Sequence, residues 1–165
     1  MINTEDRIAA LEQRLRAAED HLEILNLLTS YGPLADSCSV KQTTELWIEG
    51  GGYNYGKVGG GANRLEAPEP LGGMYRQEGH IALTKTGSAH MTAAPTISVK
   101  GEKAQAVGYS VVILREGERW YLWRAAINHW TLVRTPQGWR VQEKVNRTLD
   151  GSDESHEVMK RILAL

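Results

Sequence analysis

The sequence predicts an α+β fold in which helices come first and a curved antiparallel sheet follows. Three observations predict it. Apolar residues near the start recur at helical spacing, from Gly87 onward the period shifts to two, and short glycine-bearing turns separate the period-two segments. Elements segregated in this way build one layer of helices against one sheet.

The first helix is carried by Ile8, Leu11, Leu15, Ala18, Leu22 and Leu25, which advance in alternating steps of three and four. "TSYGPLAD", Thr29 to Asp36, then places Gly32 and Pro33 inside the pattern. Pro33 has no N–H for the carbonyl of Thr29 and its ring crowds that carbonyl, so a bend or stop is expected here, re-aiming Asp36. On position alone, Asp36 reads equally as a solvated acid at the end of a surface helix. "VKQTTELWIEG" suggests a short second helix with Val40, Thr44, Leu46 and Trp47 toward a core, ended by the glycines at 50 to 52. "GGYNYGKVGGG" reads as a short strand or hairpin arm between glycine turns. It lacks the GxxxxGK[ST] pattern of a phosphate loop. "RLEAPEPLGG" reads as a proline-rich loop, and "GMYRQEGHIALTKTG" as a third helix closed by Gly87.

The period-two part begins with "SAHMTAAPTISVKG", continues through "KAQAVGYSVVILREG" and "RWYLWRAAINHWTLVRTPQG", and ends with "WRVQEKVNRTL". The turns "KGEK", "REGE" and "TPQG" make these a meander. "DGSDESHEVMKRILAL" opens with capping residues and carries Val158, Ile162 and Leu163 at helical spacing.

Whole-chain quantities narrow the function classes. A length of 165 residues suits one domain over 1–165, with residues 1–18 as a helical extension. Nineteen basic and 20 acidic residues are well mixed and give a net charge of -1, so no footprint for nucleic acid or an anionic membrane stands out. The single Cys38 cannot form an intramolecular disulfide and reads as a small filler. "MINTEDRIAALEQRLR" is too charged for a signal peptide or a membrane span, and a cytoplasmic protein is expected.

The helix with its Tyr-x4-Asp, "ELWIEGGGY", the third helix, "GSAHMTAAPTISVKGEKA", "WRAAINHWTLVRT" and "GWRVQEKVNRTLDG" together resemble the SnoaL-like branch of the nuclear-transport-factor-2-like superfamily, over nearly the whole chain. The resemblance implies a cone: a strongly bent sheet around one long helix, with an apolar pocket inside. It also implies that the end of the first helix sits at the pocket, with Tyr31 and Asp36 turned inward. Dehydrochlorinases and dehydratases of that superfamily pair an aspartate at this place with a histidine near the start of the first meander strand, a position matched by His90. Bile-acid dehydratases are similar in carrying a tyrosine five residues before the aspartate, as Tyr31 stands to Asp36.

The pairing has its own chemical sense. A carboxylate bonded to one imidazole nitrogen fixes the tautomer and makes the other nitrogen the base. His90 would remove a proton beside an electron-withdrawing group, while Tyr31 donates to the oxygen that gains charge or leaves. A strand histidine satisfying a neighbouring carbonyl is the alternative reading of His90. His80 is expected at the rim or in solvent. Along "WRAAINHWTLVR", alternation puts Arg124, Asn128 and Trp130 on one face and Trp123, Ile127 and His129 on the other. One face is expected to line the pocket, with Asn128 and Trp130 as substrate contacts, since scytalone dehydratase resembles this layout with an asparagine on a late strand. Trp47, Tyr109 and Arg147 are further candidate contacts, although an arginine at a strand end is commonly a surface ion-pair partner.

Departures from the family limit the activity. SnoaL-type cyclases are expected to use an acid on a late strand, and residues 120 to 134 contain none. The second aspartate of the bile-acid dehydratase pattern is missing from "AVGYSVVIL". No His/Cys/Asp spacing points to a metal, and neither a metal nor an organic cofactor is expected. Two readings stay open: a cofactor-independent lyase or isomerase acting on a small hydrophobic cyclic or polycyclic compound, and a non-catalytic carrier or accessory subunit. The apolar stripe of the first helix is longer than one small cone covers, so a homodimer or homotrimer is expected.

Overall fold

The structure is a computed structural model that describes residues 3–56 and 62–165. The glycine turn expected over 57–61 lies outside the described residues. Helix α1 (Thr4–Asp36) is capped by Asn3, whose side chain accepts from the backbone N–H of Asp6 at 2.8 Å. Its first half projects into solvent, and its buried face begins at Ile24 and continues through Leu28, Gly32 and Ala35.

The break expected at Gly32 and Pro33 does not occur, and α1 runs unbroken to Asp36. Pro33 lies in the last turn, so it costs the carbonyl of Thr29 its helical donor while only three residues of helix follow. Gly32 serves a different purpose. A Cβ there would run into the carbonyl oxygen of His90, so the missing side chain lets a strand cross the helix at close range.

The short helix α2 (Val40–Thr44) stops earlier than expected, and Trp47 opens strand β1 (Trp47–Gly56) instead of closing a helix. Trp47, Ile48, Tyr53 and Tyr55 favour an extended chain, and the glycines at 50–52 disfavour further helix. The expected proline-rich loop contains β2 (Ala62–Glu66), paired antiparallel with β1. The expected third helix is two, α3 (Glu69–Tyr75) and α4 (Glu78–Thr86), the second closed by Gly87 at φ +119°.

Strands β3 (Ser88–Thr92), β4 (Thr96–Lys100), β5 (Lys103–Glu116), β6 (Arg119–Thr135) and β7 (Gly138–Thr148) form the meander. Among the described residues the sheet order is β2-β1-β7-β6-β5-β3, with β4 beside β3 on the same edge of β5. The pairs are antiparallel except β1 with β7, which is parallel because the two strands are joined only through the rest of the chain. Register shifts fall between Val112 and Ile113 of β5 against β6, and between Thr131 and Leu132 of β6 against β7. Such bulges increase twist and bend, and here they help curve an unclosed sheet around α1.

Ile24, Leu28 and Ala35 of α1 join Trp130, Leu132, Trp139 and Val141 of the inner sheet face, with Leu71 and Tyr75 of α3, in one apolar core. Asp20 holds the helix to the far end of the sheet through Arg134 at 2.6 Å and the indole N–H of Trp139 at 3.2 Å. The outer face of β6 is covered as well. Helix α5 (Asp153–Lys160) lays Val158 against Val107 and Ile127 there. Ile162 and Leu163 do not reach that core, being 45 % and 85 % exposed. The chain tightens into a 3₁₀ turn over Arg161–Ala164 and loses the α-helical phase.

Candidate functional site

Asp36 is the last residue of α1, and β3 crosses the helix over Gly32, so His90 arrives beside it. The Nδ1 atom of His90 lies 2.6 Å from Asp36 Oδ1, its backbone N–H donates to Oδ2 at 2.7 Å, and the Ser88 hydroxyl donates to Oδ1 at 2.6 Å. Ser88 precedes His90 by two residues and shares its strand face, a spacing that makes it findable in the sequence once His90 is chosen. Desolvation pushes the Asp36 carboxyl up, but the bonds from His90 and Ser88 outweigh it and hold the group below its ordinary value. An ionised carboxylate can only accept, so Nδ1 of His90 carries the proton and Nε2 is left to act on something else.

Tyr31, one turn earlier on α1, stands edge-on to His90 with ring centroids 6.4 Å apart. Its oxygen accepts from the Tyr75 hydroxyl at 3.2 Å, which leaves its own hydrogen to donate. Burial raises both phenols above their usual values and keeps them protonated. Of the two placements expected for His80, the rim and solvent, the structure gives the rim. His80 bonds the carbonyl of Ala35 at 3.0 Å and lies 6.2 Å from the His90 ring.

Two chambers adjoin these groups, each with room for on the order of one water molecule. One is mainly apolar and includes Leu27, Leu28, Leu46, Trp47 and Trp130. The other is more polar, lined by His90, Tyr53, Ser110, Arg124 and Asn146 as well as by Met91, Val111 and Val112. Tyr31, Thr92 and Lys144 belong to both and form the partition. The interior therefore joins an apolar part to one that carries the polar groups.

Three expected substrate contacts do not line either chamber. Tyr109 is 51 % exposed on the outer face of β5, because its neighbours Gly108 and Ser110 take the inward positions. Arg147 bonds Glu154 of α5 at 3.1 Å and the Asn54 side chain at 2.9 Å, as a structural tie at the strand end. Asn128 is fully buried on the inner face, but it donates to Ser110 at 2.9 Å and accepts from Asn146 at 2.7 Å. It orients two chamber residues instead of facing the chamber itself. His129 faces outward between Gln105 and Arg161, and burial, helped by Arg161, lowers its pKa to about 4. Trp47 and Trp130 do line the apolar chamber.

The residue the sequence reading missed is Lys144. It is 4 % exposed, and its Nζ sits 4.0 Å from the Tyr31 ring centroid and 4.8 Å from that of Tyr53. Burial, with the charge of Arg124 nearby, lowers its pKa to about 7. Among the described residues, no group of three or more His, Cys, Asp or Glu side chains is placed to hold a metal ion, and no helix is long and apolar enough to cross a membrane.

A long helix clasped by a bent, unclosed sheet defines the cone-shaped class of α+β domains. The family model for the SnoaL-like domain matches residues 16–145, and the chain belongs to that family. An NTF2-like protein with a cystatin-like fold from Novosphingobium aromaticivorans is 34% identical, with a TM-score of 0.83 over 96% of this chain and 98% of that one. A Mycobacterium tuberculosis protein of unknown function is 16% identical, with a TM-score of 0.69 over 94% and 90% of the two chains. A chain from Novosphingobium aromaticivorans described as the β subunit of an aromatic-ring-hydroxylating dioxygenase is also 16% identical, with a TM-score of 0.65 over 80% and 90%. The last two show shared fold alone. No functionally curated protein matches the chain.

Proposed function

We propose that the protein is a cofactor-independent lyase or isomerase acting on a small hydrophobic cyclic compound, with Asp36 and His90 as its working pair. The observation that supports this reading is the carboxylate of Asp36 held against His90 Nδ1 at 2.6 Å beside an internal chamber. Nε2 of His90 takes a proton from carbon next to a carbonyl or thioester. Tyr31 donates to the oxygen that gains charge or departs, so elimination of water or a double-bond shift follows. The test is a panel of hydroxylated cyclic ketones and thioesters, followed by absorbance of the conjugated product. Turnover by the parent protein that is lost in His90→Gln supports the reading; full turnover in His90→Gln sinks it.

A second reading is an accessory or carrier subunit. Trp120, Tyr121, Leu122 and Trp123 form an exposed apolar run at the end of the sheet, which suits contact with another protein. Binding of ligands without conversion of any panel member would favour this reading.

Assembly into a homo-oligomer, and residence in the cytoplasm, belong to the same proposal. Ile8, Leu11, Leu15 and Leu22 are each more than half exposed on the projecting part of α1, and their spacing is the heptad that a second such helix complements. Removing residues 1–18 is expected to lower the mass measured by light scattering to that of a monomer while the thermal transition of the cone persists. A parent protein that is already monomeric at micromolar concentration contradicts the expectation.

A further inference from the structure

The polar chamber holds more positive than negative charge. Asp36, its nearby carboxylate, has both oxygens engaged by His90 and Ser88. Arg124 lines the same chamber with its Nε buried and without a hydrogen-bond partner among the described residues. Lys144 faces it from β7 with aromatic rings around it and no acid paired to it among the described residues. The groups that face Lys144 are Tyr31 from α1, Tyr53 from β1, His90 from β3, and Arg124 and Trp130 from β6, none of them an acid. A buried cation without a counterion is costly, and the cost is relieved when an anion enters beside it.

We propose that Lys144 and Arg124 form an anion subsite that receives an ionised oxygen of the ligand, a carboxylate, phenolate or enolate, while the ligand's apolar body is directed toward the chamber lined by Leu28, Trp47 and Trp130, which must widen from its one-water size to admit it. This rests on the functional reading above and names its substrate class: hydrophobic compounds that carry an acidic oxygen or develop one during reaction. Lys144 stands on the partition between the chambers, and swinging its flexible stem toward the anion joins the two. The ammonium form is favoured once the anion is present. With a pKa of about 7 in the free protein, the amine is largely neutral at pH 8 and takes up a proton as the anion binds.

The test is calorimetric binding of benzoate and its neutral counterpart benzamide, at pH 8 in two buffers of different ionisation enthalpy. The parent is expected to bind benzoate at least about tenfold more tightly than benzamide, with close to one proton taken up per benzoate. Uptake should vanish at pH 5.5, where Lys144 is already charged. Lys144→Met, which removes a buried charge and leaves the packing, should lose the preference and the uptake. Arg124→Met should weaken benzoate without abolishing the uptake. Equal affinity for the two probes, no saturable binding of either at millimolar concentration, or an unchanged preference in Lys144→Met overturns the proposal. Proton uptake and anion preference in the parent are readouts in themselves, so a poorly folding variant leaves the test intact. Because none of these readouts needs turnover, loss of the anion preference and loss of catalysis are separate results.

Discussion

Asn in place of Asp36 is expected to lower turnover of any converted substrate by about 10²–10⁴-fold, the range for losing a positioned base. The change keeps the shape of the side chain and removes the charge that holds the Nδ1 proton of His90. His90→Gln removes the base itself and should fall in the same range. Since the two groups act as one unit, the double variant should be scarcely worse than the poorer single one. Ser88→Ala should cost far less, because Asp36 retains both bonds from His90. Tyr31→Phe should fall between them, losing one donor to the substrate and the oxygen that accepts from Tyr75. The measurement is kcat/KM by product absorbance, with circular dichroism to show that each variant is folded. If both single variants keep parental kcat/KM, the pair has no catalytic role.

Gly32→Ala should have the largest effect on stability of any single methyl addition in the helix. The new Cβ meets the backbone carbonyl of His90, and backbone, unlike a flexible side chain, cannot turn aside. Overpacking of this kind costs about 3 kcal/mol or more at the severe end, which lowers Tm by roughly 6–12 °C for a chain of this size. Activity should fall with it, because moving β3 moves His90 away from Asp36. Gly73→Ala in α3 is the control, since a Cβ there meets nothing within 4 Å and alanine favours the helix. A Gly32→Ala variant that melts with the parent would show that the crossing of helix and strand is looser than the structure implies.

How much of this was legible in the sequence depended on whether local pattern and tertiary packing agree. The long helix and the β5–β7 meander are strong periodic signals, and both were found where the spacing put them. The Gly-Pro signal misled because its local meaning is a helix break, whereas the glycine answers to a strand that lies 54 residues away in the Asp36–His90 contact. The inward turn of Lys144 has a local cause that spacing alone does not show. Unbroken alternation along β7 groups Arg147 with Trp139 and Val141. The register shift opposite Thr131 and Leu132 makes Gln142 an extra residue and reverses the phase, so Lys144 and Asn146 turn inward instead. A single bulge has no sequence signature. In the site, the placement of Asp36, His90 and Tyr31 followed from family resemblance, while the basic character of the chamber needed the fold.

The unbroken course of α1 gives its far end an electrostatic role. Peptide dipoles along 33 residues add up to a partial negative charge at the last turn, and no lysine or arginine sits there to balance it. Two imidazoles do sit there, His80 on the carbonyl of Ala35 and His90 on the side chain of Asp36. In the proposed reaction, a proton taken up by His90 would therefore arrive at the negative pole of the helix as well as beside a carboxylate. On that proposal the helix backbone itself would share in holding the charge.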